Sequence, residues 1–359
     1  MIKAFKISLI SAAICFLITL IFLLIGYKQF IGIPIILLLT FLSITARCSQ
    51  LYKSLSFTIL IFAAVALAMF YPELFIQIGD FKLKLLIVPL LQIIMFGMGT
   101  SMSIQDFKGV IKMPKGVLIG LICQFTIMPV LGFSIAQLFG FSSEIAAGIV
   151  LIGCSPSGLA SNVMVFLAKA NLALSITLTA ISTLLAPFIT PLLMELLAGE
   201  FIPIDIYQMM LSIVKMVIVP IIAGLIFNRL FHGKFPWLDI LLPKISMGAI
   251  ALIIVIIVAA GRDNLLDIGL LLVVAAIIHN TTGYFFGYWG CRLFKLKEND
   301  CRTIALEVGM QNGGLASGIA LELGKVSTVG LAPAIFGPWM NISGSALASW
   351  WRDRTPVNQ

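Results

Sequence analysis

The chain has 359 residues, of which 60% are hydrophobic and only 11% charged, whereas an ordinary soluble domain carries about 25% charged residues. These numbers exclude disorder and a soluble enzyme fold, and they leave room for roughly ten to twelve apolar helices of about 20 residues with no separate soluble domain. The net charge of +8 fits either an acidic partner such as nucleic acid or the basic bias of a membrane protein's cytoplasmic face, and the position of the charges separates the two.

Twelve apolar runs follow one another. The first, Ile7 to Gly26, comes after Lys3 and Lys6 and is long enough to be a retained span rather than a signal peptide. The next five are Phe30–Ala46, Ser54–Tyr71, Leu83–Met102, Gly116–Phe139 and Glu144–Ala168. The last six are Leu172–Leu197, Ile206–Leu230, Pro243–Gly261, Leu265–Cys291, Cys301–Glu322 and Thr328–Trp351. Their length and lack of period-two alternation predict helices, since backbone polar groups in lipid must be satisfied within a helix or a closed barrel. Cys15, Cys48, Cys123, Cys154, Cys291 and Cys301 are scattered through these runs with no paired spacing, and read as reduced, buried residues.

With the N-terminus inside and the spans alternating, sixteen basic residues fall on the cytoplasmic side, among them Lys53, Lys108, Lys169 and Arg292. Five, Lys28, Lys82, Lys84, Arg262 and Lys325, fall on the other. The surplus charge is therefore an orientation signal that puts both termini in the cytoplasm, and nucleic acid is not expected as a partner. Retained N-terminus and short loops fit a bacterial inner membrane.

Gly153, Gly158, Leu159, Ala160 and Ser161 recur 156 positions later as Gly309, Gly314, Leu315, Ala316 and Ser317. The copies lie in the sixth and eleventh spans, an odd number of crossings apart, so they run in opposite directions. That is the signature of an inverted-topology repeat. Counting back divides the chain into an N-terminal pair of spans (residues 1–53), a first five-helix repeat (54–198) and a second (199–359). Both recurring segments are poor helix, rich in Gly with Pro156 in the first and Asn312 in the second. Such breaks are either small-residue packing kinks or the walls of a polar cavity. Their symmetric positions and oxygen-bearing side chains favour the cavity.

Glu307 stands just before the second break, where a carboxylate costs about 2.5 to 3.5 kcal/mol. Gln311 and Asn312 follow within a turn, Ser161 and Asn162 follow the first break, Ser175 and Thr179 are one turn apart on the next span, and Gln124 adds an amide. Oxygen donors around one negative charge, without a His or Cys cluster, suit a hard cation such as Na⁺. His279 and Lys215 are further polar residues inside spans; a structural hydrogen bond and snorkelling, respectively, are their simplest readings.

The string Glu307 to Asn312 (Glu-Val-Gly-Met-Gln-Asn), together with Ser161-Asn162, Gln124 and Asn341 to Ser345 (Asn-Ile-Ser-Gly-Ser), resembles the bile acid:sodium symporter family over roughly residues 54–351. The resemblance implies an all-α polytopic membrane protein whose ten-helix core is two inverted five-helix repeats, forming a core domain and a panel domain with two broken crossing helices. The first two spans are additional and would form a peripheral hairpin. It implies two Na⁺ sites as coupling ions and no other cofactor. One would use Ser161, Asn162, Ser175, Thr179 and Glu307; the second would use Gln124, Glu307, Val308, Met310 and Gln311. Substrate would meet Asn312, with Asn341, Met340 and Pro156 nearby. Met340 occupies a position where many members carry His, which weakens the transfer of bile acid itself, so the expected substrate is a bile acid-like or other carboxylate.

Two Na⁺ on one carboxylate would leave a net positive charge near Asn312, which points to a small organic anion. The expectation is a monomeric sodium-coupled symporter working by alternating access, with proton coupling through Glu307 or a non-transporting sensor on the same fold as alternatives. No P-loop, HExxH or GxSxG string supports an enzyme.

Overall fold

A computed structural model describes residues 2–27, 30–49, 55–103, 109–231 and 234–354. Lys28, Lys53 and Lys108, three of the residues used for orientation, and Ser54, the first residue of the third run, lie outside the described residues. Among the described residues, each of the twelve apolar runs carries a helical segment. Among the described residues seven helices are long and apolar enough to cross a membrane, and three shorter apolar helices accompany them.

Helices α1 (Ile2–Ile25) and α2 (Gly32–Cys48) pack on each other, and α2 packs on α3 (Ser56–Phe70). Polar bonds pin this edge: Thr45 donates to Ser8 at 2.8 Å, and Ser43 donates to the Ser56 carbonyl at 2.7 Å. A short helix α4 (Glu73–Ile76) and a two-stranded hairpin, β1 (Gln77–Ile78) with β2 (Phe81–Lys82), lead through a 3-10 turn into α5 (Ile87–Ser101).

After α6 (Gly109–Lys112) come α7 (Pro114–Leu138), α8 (Ser143–Cys154), α9 (Ala160–Leu167) and α10 (Leu172–Ala198). The eighth span is α11 (Ile206–Ile213), a π-helical turn and α12 (Val219–Phe231). Then follow α13 (Pro236–Ala260), α14 (Arg262–Leu293), α15 (Glu298–Gly309), α16 (Gly313–Glu322) and α17 (Leu331–Arg352). At 32 residues α14 is about 48 Å long, more than the roughly 30 Å hydrocarbon layer, so it must tilt or project.

Packing separates two groups. In one, α5 lies against α12 and α13, and α13 against α3. Gly99 and Gly224 permit that approach: a Cβ on Gly99 would collide with the Ile221 carbonyl oxygen, and one on Gly224 with that of Phe96. In the other, α7 lies against α8, α10 and α14, and α14 against α15. Leu91 of α5 and Met216 of the π turn meet α16 at Gly318, one place where the groups touch. Outward faces carry bare apolar side chains, such as Leu24 at 78% and Leu270 at 82% exposure, on a surface that only lipid would solvate favourably. The protein is an integral membrane protein of all-α, polytopic architecture.

Candidate ion and substrate site

The sixth and eleventh spans are both broken at mid-length. Helix α8 ends at Cys154, and Ser155 is already extended; α15 ends at Gly309, and Met310 is extended. Each break strands backbone groups that lipid cannot satisfy. Here they satisfy each other. Gly158 N–H donates to the Met310 carbonyl and Asn312 N–H donates to the Pro156 carbonyl, both at 2.8 Å, forming an antiparallel bridge between Ser157 and Gln311. Gly158 has to be glycine for this: a Cβ there would lie 2.8 Å from the Gln311 carbonyl oxygen.

Side-chain amides complete the pairing. Gln124 on α7 donates to the Ser155 carbonyl at 3.0 Å, and Asn280 on α14 donates to the Gly309 carbonyl at 2.6 Å. Asn312 accepts from Leu315 N–H at 3.0 Å and so caps α16. Asn280 also accepts from Ser343 at 2.5 Å. His279 sits beside it with Nε2 3.0 Å from the Met128 carbonyl, a structural hydrogen bond.

Glu307, in the last turn of α15, is 1% exposed. Its Oε1 accepts from Ser161 and Ser175, each at 2.5 Å, and its Oε2 accepts from Thr179 at 2.8 Å. Ser175 is also 2.7 Å from Asn162 Oδ1, and Ser161 is 2.8 Å from the Gly158 carbonyl. Three hydroxyl protons thus face two carboxylate oxygens and an amide oxygen, while the Gly158 carbonyl also accepts the Ser161 N–H at 3.0 Å. Each hydroxyl has one proton to give, so acceptor lone pairs outnumber donors. A buried cluster short of protons fits a hard cation held by oxygen.

The five residues Ser161, Asn162, Ser175, Thr179 and Glu307 therefore meet at one point, from α9, α10 and α15. The second set is arranged differently. Gln124 donates to Gln311 Oε1 at 2.6 Å, and Gln311 donates to the Val308 carbonyl at 2.6 Å. Glu307 reaches this set through its main-chain carbonyl, which accepts from Ser157 at 3.1 Å. The Met310 carbonyl is engaged by Gly158 N–H and retains a second lone pair.

Around the crossing point Pro156 is buried, Asn312 is 8% exposed, and Asn341 is half-buried on α17. Met340 is buried, and its sulfur accepts the Gln311 N–H at 3.1 Å, so this position supplies a soft acceptor in place of an imidazole.

Ser157 and Ser343 were not singled out as site residues from sequence. Ser157 lies in the Ser-Pro-Ser break of the sixth span, and its hydroxyl links the Glu307 carbonyl to Gln124 Oε1, 3.4 Å away. Lys215 is exposed within the π turn, and Gln92 donates to its carbonyl at 3.2 Å.

Comparison with known proteins agrees with this architecture. Residues 88–268 match the model of the Sodium Bile acid symporter family. The chain is 42% identical over 302 residues to the sodium-dependent transporter YocS of Bacillus subtilis (strain 168), covering 84% of this chain and 91% of that one. It is 32% identical over 308 residues to the probable sodium/metabolite cotransporter BASS1, chloroplastic, of Oryza sativa subsp. japonica, with 84% and 74% covered. It is 33% identical over 322 residues to the probable sodium/metabolite cotransporter BASS5, chloroplastic, of Arabidopsis thaliana, with 87% and 78% covered. A match of this length, on a fold of packed apolar helices broken at two facing points, makes the chain a member of the sodium bile acid symporter family of sodium-dependent transporters.

Proposed function

We propose that the chain is a sodium-coupled symporter of a small organic anion, binding two Na⁺ beside the paired helix breaks. The carrying observation is the shortage of protons around Glu307, where Ser161, Ser175 and Thr179 surround a buried carboxylate together with Asn162. The first ion takes these five residues. The second takes Gln124, Gln311 and the carbonyls of Val308 and Met310, with Glu307 shared through the charge it lends to both. Residues 54–198 and 199–359 act as inverted repeats and 1–53 as a peripheral hairpin, with both termini in the cytoplasm of a bacterial cell and the protein working as a monomer.

Ion binding draws together α9, α10 and α15, and so sets the crevice at Asn312, Pro156, Met340 and Asn341. Two cations on one carboxylate leave that crevice positive, which selects an anion; relatives named sodium/metabolite cotransporters support a metabolite as the cargo. Coupling requires that Na⁺ raise substrate affinity and that substrate raise Na⁺ affinity by the same factor. The group containing α7, α8, α10 and α14 then moves against that containing α5, α12 and α13.

Na⁺ itself is the test probe. Purified protein moved from choline to sodium chloride should gain thermal stability that rises with the logarithm of Na⁺ concentration above the dissociation constant, by about 1.4 kcal/mol per site at ten times that constant. Glu307→Ala should remove the gain while the protein still inserts. A stability indifferent to Na⁺, or a gain that survives Glu307→Ala, refutes the reading, and uptake driven by a pH gradient without Na⁺ would replace it with proton coupling.

A further inference from the structure

One end of α14 carries a feature that ion and substrate binding do not use. A cleft of about 1360 Å³ lies between α14, the turn into α15 and the residues after α17. Five cations line it, Arg292, Lys295, Lys297, Arg302 and Arg354, against one carboxylate, Glu298. Glu298 is already committed. It accepts from Tyr288 at 2.7 Å and Arg302 at 2.8 Å, and Arg292 stands 3.8 Å away. Arg302 is committed too, donating to the carbonyls of Trp351 at 3.2 Å and Arg354 at 2.9 Å.

Lys295, Lys297 and Arg354 meet no carboxylate within ion-pair distance among the described residues, and all three are exposed. Arg354 lies over the Trp350 ring at 4.1 Å. Lys295 has a φ of 55°, the left-handed conformation, which turns the chain sharply after α14 and keeps the two lysines beside its end.

Below this rim the lining turns apolar. Phe286, Trp289 and Leu293 form one stripe of α14, 46%, 54% and 78% exposed, and Ile127 of α7 lies beside it. From Phe286 to Leu293 the stripe is about 10 Å long, a large part of one leaflet's hydrocarbon depth. A positive rim opening onto an apolar groove matches an anionic headgroup with its acyl chain. A free anion would leave the groove empty, and an acidic peptide would have to enter the bilayer to cover it.

We propose that this cleft is a binding site for an anionic phospholipid of the adjoining leaflet, with the headgroup on Lys295, Lys297 and Arg354 and one chain along Phe286, Trp289 and Leu293. The inference needs only that the chain spans a membrane, so it stands or falls apart from the sodium reading.

The test uses the full chain in an uncharged detergent, titrated with dioleoylphosphatidylglycerol or dioleoylphosphatidylcholine and followed by native mass spectrometry. Phosphatidylglycerol should bind at least about tenfold more tightly than phosphatidylcholine. A Lys295→Gln/Lys297→Gln/Arg354→Gln variant should lose that preference while still binding phosphatidylcholine as the parent does. Trp289→Ala, which leaves every charge in place, should weaken both lipids. Equal binding of the two lipids overturns the proposal, as does a preference that persists in the triple variant. Inorganic phosphate stabilising the protein as much as phosphatidylglycerol would also overturn it, by making the site one for a free anion.

Discussion

At the scale of single residues the balance of protons and lone pairs decides what the centre can hold. Thr179 supplies the one hydroxyl on Glu307 Oε2, at 2.8 Å. Thr179→Val removes that oxygen with little change of volume, and a hydrogen bond to a charged group is worth about 1.5 kcal/mol or more. The expected result is that roughly tenfold more Na⁺ is needed to reach the same thermal stabilisation, with the same slope against log concentration. An unchanged Na⁺ dependence would remove Thr179 from the proposed ion site. Glu307 and the residues near it stood out in the sequence because a carboxylate in an apolar run is costly and because a family string surrounds it. Ser157 did not, since a serine inside a Ser-Pro-Ser break reads first as a helix breaker; its role rests on a partner 150 positions away.

At the scale of elements the two breaks work only as a pair. Pro156 and the glycines make each span stop, which is local chemistry, but the carbonyls so released need the opposite break. Gly158→Val should therefore destabilise the protein by about 2 kcal/mol or more, because the Cβ would meet backbone at 2.8 Å and part the bridge. Gly248→Ala in α13 is the control: nothing lies within 4 Å of its added Cβ, so stability should hold or rise by up to about 1 kcal/mol. Thermal unfolding in detergent measures both. If Gly158→Val matches Gly248→Ala, the bridge contributes nothing.

At the scale of the whole molecule, the proposed division into two inverted five-helix repeats leaves residues 1–53 as a peripheral hairpin. Among the described residues helix α1 packs chiefly on α2, whereas α2 reaches α3 through Ser43 and Ser56. A chain lacking residues 1–53 should insert and keep its Na⁺-dependent stabilisation, with overall stability lowered. Loss of the Na⁺ response in that truncation would give the hairpin a part in ion binding. Reporter fusions at residue 1 and residue 359 should report the same compartment, and opposite compartments would break the alternating assignment. Glu144, at the start of α8, pairs with Lys325 beyond α16 and accepts from Thr328 at 2.6 Å. Lys325 falls on the outer side in the alternating assignment, and this contact ties the two broken spans at one end.

The sequence by itself determined the membrane class, the number of apolar runs and where two of them break. Those features depend on local composition: apolar length, proline and glycine act on their own few residues wherever the chain goes. Only the tertiary structure decided that the breaks face each other and hydrogen-bond, which oxygens gather on Glu307, and that Met340 offers its sulfur to Gln311. Gln124 meets Gln311 across 187 positions and Ser161 meets Glu307 across 146, so no local pattern carries these pairings. They arise because a membrane interior offers no water, and each polar group freed by a break has to find its partner in whichever helix the fold brings alongside.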